Sequence, residues 1–182
     1  MRIVAWDLET TDLKGLMGRL LCCSFQTIVD GHPTKPYTFR ADRSPWKGKR
    51  LIDDSRLAVA IRNELEKYHM IVGWNSKLFD APFLNARLLK AHERPLRPQL
   101  HLDLMWYAGG SSNRIGSKKL INVQKFLGLT EAKTQISWED WQEAGAGEPK
   151  AFREVVTHCQ QDVKVLAQAY WRLLPSVATV HR

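Results

Sequence analysis

The sequence predicts an α/β fold, a mixed central sheet flanked by helices, with an antiparallel hairpin at its start. Two observations predict it. Three β-type runs open the chain, and they give way to helix, strand, helix, strand and then helices. The closing segment, about residues 150–174, keeps a helical apolar period to its end. No internal repeat and no linker divides the chain, so residues 1–182 read as one domain.

Residues 2–9 begin with Ile3-Val4-Ala5-Trp6 and read as the first strand. Residues 19–28, with Leu20, Leu21, Phe25 and Ile28, read as the second. A turn is expected around Asp30-Gly31, Pro33 and Pro36, then a short strand from Tyr37 to Arg40. The stretch 42–50 is polar and basic and reads as a loop. Leu57, Ile61 and Leu65 stand four apart and predict a helix over 55–67. His69 to Trp74 is a short apolar strand.

A helix follows over 79–92, with Phe83, Ala86, Leu89 and Lys90 spaced by turns and Pro82 in its first turn. A strand is expected around 101–104, after Pro95 and Pro98. Gly109 to Ser117 reads as a small-residue loop. Lys119 to Leu127 reads as a helix stopped by Gly128. Residues 130–149 read as irregular, with Gly145 and Gly147 marking flexibility, and the last helix stops before Pro175.

Lys and Arg number 27 against 19 Asp and Glu, a formal charge of +8. Such a balance favours a polyanionic partner, nucleic acid or an anionic membrane surface. No apolar run approaches the ~20 residues of a membrane span. The three cysteines, Cys22, Cys23 and Cys159, are odd in number and two are neighbours. They suggest buried thiols in a reducing compartment rather than a disulfide framework. With no signal-peptide layout ahead of the first strand, the expected location is cytoplasmic.

The acids are the candidates for chemistry, although Asp7 and Glu9 also read as a polar strand end, and Asp162 as a helix residue hydrogen-bonded to His158. Asp7 and Glu9 end the first strand on one face, about 7 Å apart by strand rise, and continue the stripe of Ile3 and Ala5. Two carboxylates on a buried stripe repel unless a cation lies between them, and hard oxygen donors suit Mg²⁺ or Mn²⁺. Asp162 lies within or beside the apolar stripe Val155, Cys159, Val163, Leu166 and Tyr170, and His158 stands four residues before it on the same face. Asp80 opens a helix directly after a strand and turn, where an acid also has the ordinary role of facing a helix N-terminus.

Taken together, Asp7-Leu8-Glu9-Thr10-Thr11, then Asn75-x-x-x-Phe79-Asp80-x-Pro82, then His158-x-x-x-Asp162 resemble the three motifs of the DEDD 3′–5′ exonuclease superfamily. Lys119-Leu120-Ile121-Asn122-Val123 and Phe126-Leu127-Gly128-Leu129 are similar to the segment before the third motif in exonuclease domains of family B DNA polymerases. YprB-type ribonuclease H-like domains share the pattern. The resemblance covers about residues 2–173. In one respect it departs from the pattern. The superfamily carries Tyr four residues before the last Asp or His five before it, and here His158 stands at the tyrosine spacing with Thr157 at the other.

The resemblance implies a ribonuclease H-like fold and hydrolysis of phosphodiester bonds at the 3′ end of DNA or RNA by two Mg²⁺ or Mn²⁺ ions. Asp7 would bridge the metals, Glu9 and Asp162 would hold the one on the side of the attacking water, and Asp80 would serve the second. His158 would orient or deprotonate that water. The backbone at Thr10 and Thr11 would meet the terminal nucleotide, with Asn75 and Phe79 along the strand's path and Leu13 beside the last base. Phe79 has core packing as its other reading. Basic residues are candidates for the phosphate track: Arg40, Arg43, Lys47, Lys49 and Arg50 around Trp46, or Arg114, Lys118 and Lys119. The implied partner is single-stranded DNA or a DNA 3′ end, with a polymerase or a replication or repair complex in trans, and no membrane. Two rivals share the fold: a non-catalytic nucleic-acid-binding module and a structure-specific endonuclease.

Overall fold

The computed structural model describes residues 1–29, 32–110, 113–131 and 134–178; the expected Asp30-Gly31 turn and part of the 109–117 loop lie outside them. The strands are β1 (Ile3–Thr10), β2 (Leu20–Val29), β3 (His32–Pro33), β4 (Tyr37–Arg40), β5 (Met70–Gly73) and β6 (Leu100–Asp103). The helices are α1 (Ser55–Leu65), α2 (Asp80–Lys90), α3 (Leu104–Gly109), α4 (Leu120–Leu127), α5 (Trp138–Ala146) and α6 (Pro149–Leu173). One mixed sheet runs β3-β2-β1-β5-β6, with β4 also pairing β2. The hairpin β1–β2 is antiparallel, and β5 and β6 run parallel to β1.

Central β1 is covered on both faces, which is why it reads as nearly continuous apolar sequence. Val4, Trp6 and Leu8 pack against Leu57 and Ile61 of α1 and Leu84 and Leu88 of α2. Ile3 and Ala5 pack with Leu166, Ala169 and Tyr170 of α6. Asp7 and Glu9 continue that second row, so their alternation aims them at α6. The β1–β2 register shifts between Glu9 and Thr10, a bulge that bends the ribbon beside the acids.

A buried ion pair fixes the loop beyond β1. Arg87 of α2 grips Asp54 with two hydrogen bonds (2.8 and 2.7 Å) and also donates to the Gly15 carbonyl (2.9 Å), while Asp54 accepts from Leu20 N (2.8 Å). Removing one partner would leave an uncompensated buried charge, at a cost of about 3–5 kcal/mol. The pair also corrects the expected face of α2. The buried stripe is Phe83, Leu84, Arg87 and Leu88, while Leu89 is 62% exposed, because a paired arginine takes the inward position.

Three further expectations change. The stretch 130–149 contains α5, and Leu104 begins α3 rather than ending a strand. Pro33 lies in the two-residue β3 rather than in a turn. Among the described residues no helix is long and apolar enough to cross a membrane.

Candidate active site

Four acids and a histidine meet near the C-terminal end of β1, brought there by three elements. β1 supplies Asp7 and Glu9, the N-terminus of α2 supplies Asp80, and α6 supplies His158 and Asp162. All are buried except Asp7, which is half-buried. Burial first, and then the charge of Asp7, pushes the Asp80 carboxyl well above the usual carboxylate range; a hydrogen bond from the Leu8 backbone opposes the shift. Asp7 and Asp80 thus sit close enough to repel. A divalent cation between such groups would relieve both costs.

One ligand atom each from Asp7, Glu9 and Cys159 lies within 4.8 Å of the others. The sulfur is the weak member of that trio. Burial pushes the Cys159 thiol well up, and its hydrogen donates to the Asp7 backbone carbonyl at 3.4 Å. A protonated thiol is no ligand for a hard cation, so the donor set that fits Mg²⁺ or Mn²⁺ is the carboxylates. Cys22 packs with Cys159 on the α6 side of the sheet, whereas Cys23 packs on the opposite side with α1 and α2, and all three thiols are wholly shielded from solvent.

His158 is held on two sides. Its Nδ1 shares a 2.7 Å hydrogen bond with the Thr134 hydroxyl, and the Trp141 ring meets it edge-on with centroids 5.4 Å apart. Its Nε2 stands 4.0 Å from Glu9 Oε1 and 4.0 Å from Asp162 Oδ2. Thr134 and Trp141 escaped the sequence reading because both fall in the stretch taken as irregular. Asp103 was missed as well. It caps α3 through Met105 N and accepts from Asn75 N (2.9 Å) and Lys77 N (3.0 Å), which ties the turn before Asp80 to the end of β6. Its signal was an acid ending a strand, as at Asp7.

A groove of about 670 Å³ opens beside the acids. Glu9, Thr10, Thr11, Leu13 and Phe79 all line it, as do Met17, Trp138 and Trp141. The threonine side chains are committed locally: Thr10 Oγ1 donates to the Asp12 carbonyl (2.7 Å), and Thr11 Oγ1 accepts from Arg19 N (3.0 Å). Leu13 is 80% exposed and Trp138 66%. Phe79 is half-buried, leaning on Phe83 at 5.8 Å while lining the groove, so packing and exposure share the ring.

Asn75 is not in the groove wall; it takes a left-handed backbone (φ 60°) in the turn that Asp103 holds. Lys47, Lys49 and Arg50 are exposed on the segment after β4, outside that wall. Two of their expected companions are otherwise engaged: Arg40 lies on β4 and pairs with Asp42 at 2.7 Å, and Trp46 stacks on Phe39 at 4.7 Å.

The sequence matches the profile of the RNase_H superfamily over residues 4–174. Among solved structures, the family B DNA polymerase from the hyperthermophilic archaeon Pyrobaculum calidifontis matches with a TM-score of 0.72 at 21% identity. The match covers 96% of this chain and 24% of the polymerase chain. At that identity the likeness shows the fold. No curated protein matches the sequence.

Proposed function

The chain belongs to the RNase_H superfamily, a nuclease-type fold that acts on nucleic acid, and from that premise we propose that it is a divalent-metal-dependent 3′–5′ exonuclease of DNA. The observation that carries the reading is the convergence of Asp7, Glu9, Asp80, His158 and Asp162 at the head of an apolar groove. A binding module has no use for four acids beside a phosphodiester, since each repels it.

Asp7, Glu9, Asp80 and Asp162 are the residues that would hold two Mg²⁺ or Mn²⁺ ions. When bound, such ions polarise the phosphodiester and make a nucleophile available at neutral pH. The chain's own residues do the placing. Leu13, Met17, Trp138 and Phe79 offer apolar faces on which a terminal base can lie. His158 Nε2, equidistant from Glu9 and Asp162, accepts or steers the proton of the attacking water, while Thr134 fixes the ring. Lys47, Lys49 and Arg50 supply positive charge toward the strand's phosphates, and Asn75 steers the turn that presents Phe79 and Asp80. As a trimmer of 3′ ends, the protein would serve a polymerase or a replication or repair complex in trans.

The test is digestion of a 5′-labelled single strand, as DNA and as RNA, in Mg²⁺, Mn²⁺ or EDTA. The expected product is a ladder shortening from the 3′ end, stronger on DNA, abolished by EDTA and by Asp7→Ala. Discrete internal cuts would make it an endonuclease, and a mobility shift without cleavage would make it a binder. Undiminished cleavage in EDTA would remove the metal reading.

A further inference from the structure

Next to the carboxylate groove lies a second cavity, of about 530 Å³. The two share Thr11, Met17 and Trp141 in their walls, so the second space directly adjoins the groove. Its wall is basic: Arg19, Arg87 and Lys90 line it, and among the described residues no acid does. Arg87 is spent on Asp54 and the Gly15 carbonyl. Arg19 is not. It is 6% exposed, yet among the described residues its guanidinium donates only to the Gly145 carbonyl (2.6 Å) and has no carboxylate within ion-pair distance.

A guanidinium offers five N–H donors in a planar fork, and one neutral carbonyl answers one of them. Burying that charge without a counter-ion is costly. Burial, reinforced by the charge of Arg87, depresses the Arg19 pKa despite the opposing pull of Asp54. The clamp onto α5 alone explains neither the charge nor the vacant donors, since a neutral amide would satisfy Gly145 equally well.

We propose that Arg19 forms a phosphate subsite next to the active groove, with Lys90 at its edge and the Thr11 and Gln142 segments completing the wall. The inference rests on the exonuclease reading for its ligand, because the neighbouring groove is where a nucleic-acid strand would lie. Forked, charge-assisted hydrogen bonding is what a guanidinium gives a phosphate. Two sources share that chemistry: a phosphodiester of the held strand, and the 5′-phosphate of the freed mononucleotide.

The experiment uses the whole chain in EDTA, so that neither metals nor cleavage contribute. ¹H–¹⁵N spectra follow the Arg19 side-chain Nε–H signal and the Gly145 amide during titration with inorganic phosphate, thymidine 5′-monophosphate, the thymidine dinucleotide phosphodiester, and thymidine. Saturable shifts are expected with the phosphate compounds and none with thymidine. Tighter binding of the monophosphate would name the product as the source, and tighter binding of the dinucleotide would name the strand. Arg19→Gln should weaken binding at least about tenfold, with Arg19→Lys retaining part of it. No saturable shift at Arg19, or unchanged binding in a folded Arg19→Gln, overturns the subsite. Should Arg19→Gln fail to fold, the wild-type spectra decide alone. Phosphate bound here by a chain that never cleaves would leave the subsite standing and overturn the exonuclease; cleavage without a shift at Arg19 would do the reverse.

Discussion

His158 is placed by two neighbours outside the acidic set, Thr134 and Trp141. Thr134 occupies Nδ1 and Trp141 meets the ring edge-on, with Nε2 turned toward Glu9 and Asp162. His158→Ala should lower the single-turnover cleavage rate about 10²–10⁴-fold with substrate affinity retained. Thr134→Val, which frees the ring, should lose about 10–100-fold, the usual cost of an outer partner to a functional histidine. Cleavage by His158→Ala within a few-fold of wild type would take it out of the catalytic set. A second histidine speaks to stability instead. Burial, and then the charge of Lys77, lower His101 to about 4, and its Nε2 shares a 2.8 Å hydrogen bond with Ser76. The folded chain therefore keeps this ring neutral while the unfolded chain, with an ordinary value near ~6.5, takes up a proton. Stability is full above the unfolded value and falls as pH drops toward 4, by up to about 3 kcal/mol. Denaturant midpoints between pH 7.5 and 4.5 should fall less steeply in His101→Gln; an equal slope would mean other groups carry the effect.

At the scale of elements, α5 shows how a local rule can be present and overlooked. Ser137 accepts from Asp140 N (3.0 Å) while Asp140 accepts from Ser137 N, a reciprocal cap, and Gly147 ends the helix in a left-handed turn (φ 94°). The two glycines suggested flexibility, yet Gly147 is a helix stop and Gly145 lies inside the last turn. Six-residue α3 was illegible for another reason: it is too short to show a period, and its sign was Asp103 as N-cap. In α2 the period was visible but its phase was misread, since an inward arginine looks like a surface residue until Asp54 is known to face it. Because α5 carries Trp141 against His158 and Gly145 against Arg19, its cap matters to the site. Ser137→Ala should cost about 1 kcal/mol in denaturant unfolding and reduce cleavage by a larger factor than that loss implies. Wild-type cleavage with the stability loss alone would show that α5 does not support the histidine.

For the whole molecule, the mixed sheet and its opening antiparallel hairpin were legible from the order of β-type and helical runs, whereas the meeting of β1, α2 and α6 was implied only by the family resemblance, because strand order is set by tertiary contacts that no short-range pattern fixes. The Arg19 cavity was not legible, since a single arginine before a strand has no period and its isolation depends on where Gly145 and Asp54 end up. The converging acids should also make the fold's stability depend on cations. Ligand bound only to the folded state stabilises it by about 2.7 kcal/mol at a hundred times its Kd, or roughly 5–10 °C in Tm for a domain of this size. Mn²⁺ should raise the wild-type Tm in that range. Asp7→Asn should melt higher than wild type in EDTA, being relieved of repulsion with Asp80, and gain little from Mn²⁺. Equal gains in both proteins would mean that the cation binds elsewhere. Beneath the acids, Cys22 and Cys159 have no path to solvent while β2 and α6 stay together. An alkylating reagent or oxidant reaches them only when the sheet and its longest helix part. Their modification should therefore keep time for the breathing of the floor under the acids, and anything that settles among the carboxylates above should slow that clock.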